Sequence, residues 1–111
     1  MKIRFHIVTA LLMAASANAA IAQDSARLHM RSLAATCASC HGTDGRTTEG
    51  SAIPSLAGMP KSYMVMQMKA FKEGTRPATV MHQISKGITD QQIDSMATYF
   101  SDTKRQAGVT P

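Results

Sequence analysis

The clearest apolar rhythm in the chain lies near its C-terminal end. In "TDQQIDSMATYFSDTKRQ", Ile93, Met96, Ala97 and Phe100 recur at i, i+3, i+4 and i+7, which puts all four on one stripe of a helix. Thr89 with Gln92 forms a capping box at its start, and Lys104 and Arg105 stand at its end, where the helix dipole favours cations. Upstream, "PKSYMVMQMKAFKEG" predicts another helix, opened by Pro60 and closed by Gly74. Tyr63, Val65 or Met66, and Phe71 are expected on its buried side. In "TRPATVMHQISKG", Pro77 opens a short helical turn that stops near Gly87. Towards the front, Leu28, Met30, Leu33, Ala34 and Cys37 follow Asp24 and Ser25 at near-helical spacing, predicting a helix from about Ser25 to Ser39. Residues 42–60 hold neither a helical nor a strand period and carry Gly42, Gly45, Gly50, Gly58, Pro54 and Pro60. So long a loop in a small domain implies that it wraps something. No segment reads as a strand. The pattern is all-α: a few short helices with modest apolar faces, whose core a large flat apolar object would complete.

The first residues stand apart from this pattern. "MKIRF" supplies Lys2 and Arg4, an apolar run follows from Ile7 to Ala15, and small residues come next. This is the three-part layout of a secretory signal peptide. The small-x-small rule allows cleavage after Ala19 or after Ala22; the second leaves Gln23 and Asp24 as a polar mature terminus. The expected division is a signal peptide over 1–22 and one domain over 23–111, placed in the periplasm after export. The apolar run is shorter than the roughly 20 residues that a membrane-spanning helix needs.

Composition narrows the function. The chain of 111 residues carries a formal charge of +5, which falls to +3 once Lys2 and Arg4 leave with the signal. That mild excess, scattered over helix faces, is no nucleic-acid footprint; it suits solvated surfaces or the steering of an acidic redox partner. A core without tryptophan in so short a chain calls for a staple. A disulfide between Cys37 and Cys40 would close too small a loop to supply one.

Those cysteines lie in "TCASCHG". Cys37-Ala38-Ser39-Cys40-His41 fits C-x-x-C-H, the attachment signature of c-type haem. Cysteines at i and i+3 project from one helical face, so both sulfurs reach the vinyl groups of one porphyrin. His41, at i+4 from Cys37, projects on the same side and can stand beneath the iron. A redox dithiol would need a βαβ context. A zinc knuckle would need four ligands, with only His29 and His82 to complete it.

A second axial ligand is a choice among several residues. Met30 lies on the haem-bearing helix and does not reach the opposite face. Met96 sits on the core stripe, and Met64, Met66 and Met68, at spacing two, do not all face one way. Met81, forty residues beyond His41, is far enough along for a chain circling a haem and is the preferred ligand. Met59, beside Gly58 and Pro60, and His82 are alternatives, His82 being expected to point elsewhere and remain partly exposed. The Pro54 carbonyl can accept a hydrogen bond from Nδ1 of His41, fixing the ring, or Pro54 can be a simple loop kink.

"CASCHG" followed by a helix–methionine–helix arrangement resembles the class I cytochromes c over nearly all of residues 23–111. The stretch from Ser62 to Phe100 is similar to the cytochrome subunit of flavocytochrome c sulfide dehydrogenases, through Met81, the run Ile84-Ser85-Lys86-Gly87, and Tyr99-Phe100. Some members of that family carry two haem motifs, whereas this sequence has one. The resemblance implies a class I cytochrome c fold and a single haem c attached through Cys37 and Cys40. It implies His41 and Met81 as iron ligands, a flavoprotein that oxidises sulfide as electron donor, and a downstream redox carrier as acceptor. The protein would then be an electron-accepting subunit and not catalytic alone. A free periplasmic shuttle is the main alternative; a haem sensor or peroxidase would require that Met81 not bind iron. The first and last helices are expected to cross, with Leu33 or Ala34 meeting Met96 or Phe100.

Overall fold

The computed structural model describes residues 22–105. The predicted signal peptide, apart from Ala22, and the terminal "AGVTP" lie outside the described residues. Helix α1 covers 22–35, followed by a turn at Thr36 and Cys37 and a one-turn helix α2, Ala38–His41. The predicted Ser25–Ser39 helix is therefore two pieces. Thr36 makes the break: its hydroxyl and its amide both bond the Leu33 carbonyl, at 2.7 and 3.2 Å. This local alternative diverts the backbone from the helical ladder.

A 3-10 turn, Thr43–Gly45, leads into the long irregular loop, which runs to Pro60. Helix α3, Lys61–Glu73, begins after Pro60 and ends on a left-handed Gly74, as its punctuation predicts. Helix α4 is Met81–Lys86. It starts four residues later than Pro77 implies, with residues 75–80 outside any helix. Helix α5, Asp90–Asp102, opens on the full capping box, with Thr89 Oγ1 accepting from Gln92 N at 3.2 Å and Gln92 Oε1 from Thr89 N at 2.9 Å. The helix stops at Asp102, so Lys104 and Arg105 lie just beyond its last turn. The described residues contain no strand.

Ile93, Met96, Ala97 and Phe100 of α5 are all buried. Ala34 of α1 joins Met96, Ala97 and Phe100 in the core cluster, with Leu33 packed against it, so the first and last helices share one core. Met59 and Met64 complete that cluster. On α3 Phe71 is buried and Val65 packs against the core, as expected, but Tyr63 is exposed and Met64 is buried instead. Met59, one of the alternative ligands, is buried in the same cluster.

Helix α3 packs on both α4 and α5, and lysines span its junction with α5. Lys72 Nζ donates to Ile88 O at 2.8 Å and to Asp90 Oδ1 at 2.9 Å, and Lys61 Nζ pairs with Asp94 at 2.9 Å. The Lys72 contact holds the Asp90 carboxyl below the usual carboxylate range. No helix among the described residues is long and apolar enough to cross a membrane.

Candidate haem-attachment site

Helix α2 is a single turn, held by His41 N to Cys37 O at 2.9 Å and Gly42 N to Ala38 O at 3.0 Å. It places Cys37, Cys40 and His41 within one turn, and the two cysteines are not bonded to each other. Cys37 is half-buried against the core cluster, Cys40 is exposed, and His41 is 8% exposed.

Glycine is required directly after His41. Gly42 has φ +77°, and a Cβ there would lie 2.0 Å from the Arg46 carbonyl oxygen. The chain therefore turns sharply away from the histidine, through the 3-10 turn, and returns at Pro54.

That return produces the decisive contact. His41 Nδ1 lies 2.8 Å from the Pro54 carbonyl oxygen. A carbonyl only accepts, so Nδ1 carries the proton and Nε2 is left with its lone pair. This is the tautomer a metal-bound imidazole needs, with the ring held by an outer hydrogen bond. Of the two readings of Pro54, the hydrogen-bonding one is realised.

Met81 is the first residue of α4 and is partly buried. Ile84, three residues on, shares its face, and Val80 precedes it; both are exposed apolar side chains. His82 is partly buried, and its Nδ1 is enclosed without a hydrogen-bond partner. Ser85, fully buried, donates to the His82 carbonyl at 3.3 Å.

The donor set fits a c-type haem. Cys37 and Cys40 suit two thioether links, and His41 keeps Nε2 free of a proton; Met81 stands apart on α4, beside the exposed apolar Val80 and Ile84. It does not fit zinc: among the described residues no three His, Cys, Asp or Glu side chains are arranged to hold one metal ion, so Cys37 and Cys40 lack the partners a tetrahedral site requires.

A second constellation holds the far side of the loop. Tyr99 OH donates to Asp44 Oδ1 at 2.6 Å, and Arg46 donates to Asp44 Oδ2 at 2.9 Å and, through Nε, to Lys104 O at 3.0 Å. Asp44 itself sits at φ +55°, in the left-handed region that aspartate tolerates better than most residues. The Tyr99 hydroxyl, then Arg46, hold the Asp44 carboxyl below its ordinary range, and Asp44 in turn raises Tyr99. Nothing in the sequence pattern signalled this link.

The family model for cytochrome c matches residues 31–104. A protein named thiosulfate dehydrogenase electron acceptor, from Thiomonas intermedia, is 35% identical over 70% of this chain and 36% of its own length. The cytochrome subunit of sulfide dehydrogenase from Chlorobaculum tepidum is 39% identical over 67% of this chain and 66% of its own. A cytochrome c4 from Pseudomonas aeruginosa is 34% identical over 68% and 37%. The matches thus span about a third to two thirds of the length of these relatives.

Proposed function

The chain belongs to the cytochrome c family, with haem c attached through Cys37 and Cys40, and from that premise we propose that it is a monohaem one-electron carrier whose iron is held by His41 and Met81. The observation that carries this reading is the 2.8 Å contact between His41 Nδ1 and Pro54 O, which leaves Nε2 as the free ligand atom.

Bound haem supplies an iron that takes up and gives back one electron. His41 would hold the iron through Nε2, with its ring orientation fixed by Pro54. Met81 would supply a thioether, which favours the ferrous state and raises the potential. With His41 and Met81 both holding the iron, the protein would bind no substrate there and would not be catalytic alone. Cys37 packs against the core cluster that α1 and α5 share.

The electron donor in this reading is a flavoprotein that oxidises sulfide, and a further redox carrier receives the electron. Similarity to the sulfide dehydrogenase subunit of Chlorobaculum tepidum supports this, as does the run Met81, Ile84–Gly87 and Tyr99–Phe100. A second reading, a free periplasmic shuttle in a respiratory or sulfur-oxidising chain, is favoured by the similarity to a thiosulfate dehydrogenase electron acceptor. Both place the protein in the periplasm, following the signal peptide predicted over 1–22.

Affinity isolation from the native host, over a range of salt concentrations, separates the two readings. Co-isolation of a flavoprotein that reduces this haem when given sulfide supports the subunit. Recovery of the cytochrome alone at every salt concentration, with no such flavoprotein, contradicts it and leaves the shuttle.

A further inference from the structure

The hydrogen bond between Pro54 and His41 raises the question of what aims the Pro54 carbonyl. Pro54 is exposed and has no amide hydrogen, so its own residue offers no anchor. Its carbonyl belongs to the planar peptide unit shared with Ser55, and whatever fixes Ser55 fixes that plane.

Ser55 is fixed firmly. It is 2% exposed, and its hydroxyl donates to the Gly45 carbonyl at 2.8 Å. The same carbonyl accepts from Leu56 N at 2.8 Å and Ala57 N at 3.1 Å. Three donors from consecutive residues thus converge on one oxygen that has two lone pairs. Gly45 is itself immobilised from behind. A Cβ on it would lie 2.8 Å from Phe100 Cδ1 and 2.8 Å from Leu56 Cβ, at φ +73°, so only glycine brings the turn this close to α5. Gly58 N bonds Phe100 O at 2.8 Å and ties down the other end of the segment.

We propose that Ser55 is a positioning residue for the haem-binding histidine. Its hydroxyl, braced on Gly45 and through it on Phe100, holds the Pro54–Ser55 peptide so that the Pro54 carbonyl stays on His41 Nδ1–H. This rests on the reading of His41 as the iron ligand. A well-aimed acceptor draws the Nδ1 proton outward and makes the imidazole a stronger donor. Stronger donation favours the ferric state, so Ser55 holds the potential below the value an unbraced histidine would give. Leu56 N and Ala57 N still bond Gly45 when the hydroxyl is removed, so the loop persists and only its aim loosens.

The test compares the holoprotein with its Ser55→Ala variant, using Ile93→Val as a control that loosens the core away from the loop. The readouts are the midpoint potential and, in the reduced protein, hydrogen exchange of the His41 Nδ1 proton followed by NMR. Ser55→Ala is expected to raise the potential and to speed that exchange by roughly fivefold to tenfold, the scale of one net hydrogen bond. Ile93→Val is expected to move neither. Unchanged potential and exchange in Ser55→Ala, or equal changes in the control, overturn the positioning role. A wild-type spectrum without axial histidine overturns the His41 reading itself, so the two failures are distinguishable.

Discussion

Tyr99 and Asp44 lie 55 positions apart, and the hydroxyl of one donates to the carboxylate of the other at 2.6 Å. The bond fastens the turn after the attachment motif to the last helix. It also makes a prediction about pH. The folded Asp44 pKa is depressed by Tyr99 and Arg46, so its stabilisation is present above the unfolded value of about 3.9 and is lost as pH falls through the depressed one. Asp44→Asn, which keeps the left-handed backbone accessible, should flatten the fall of Tm between neutral and strongly acidic pH. With the carboxylate 38% exposed, the effect is modest. A Tm–pH profile parallel to the wild type would contradict it.

The same pair acts with the opposite sign at high pH. Asp44 raises the folded pKa of Tyr99, so the tyrosine's contribution is complete below about 10 and is lost as pH rises through the raised value. Tyr99→Phe should remove this alkaline component, and an ultraviolet titration should show the high tyrosine ionisation disappear.

Capping of α5 should be measurable. Thr89→Ala removes the hydroxyl that accepts from Gln92 N and should cost about 1 kcal/mol in denaturant unfolding. Phe100→Ala, at a side chain 1% exposed that also faces Gly45, should cost about 3–5 kcal/mol and lower the yield of holoprotein.

Helix α5 was legible because its stripe and capping box agree, and both point to one buried face. The attachment motif was legible because its chemistry is local. On α3, by contrast, apolar residues stand on several sides, and periodicity chose Tyr63 where packing against α5 selects Met64. The break at Thr36 and Cys37 carries no glycine or proline and depends on a threonine side chain competing for one carbonyl. Met59, between Gly58 and Pro60, belongs to no periodic stripe, yet the loop folds it into the core. Contacts such as Tyr99 with Asp44, Lys72 with Ile88 and Asp90, and Ser55 with Gly45 join distant segments, so no local pattern announces them. Pro54 differs: two readings were open, and the returning loop chose one.

Gly42 admits no side chain. Gly42→Ala would place a methyl 2.0 Å from the Arg46 carbonyl oxygen in a left-handed backbone. Expression with the haem-attachment machinery should give little covalently loaded protein, read by haem staining after denaturing electrophoresis. Gly50→Ala, at a left-handed glycine with open space around it, should load far better.

In the proposed function His41 and Met81 together hold one low-spin haem. The most direct measurement is the near-infrared spectrum of the oxidised holoprotein, wild type against Met81→Ala. A methionine-to-iron charge-transfer band is expected in the wild type and its loss in the variant, with the haem still covalently attached through Cys37 and Cys40. A band that survives in Met81→Ala, or is absent from the wild type, would contradict the proposed ligation.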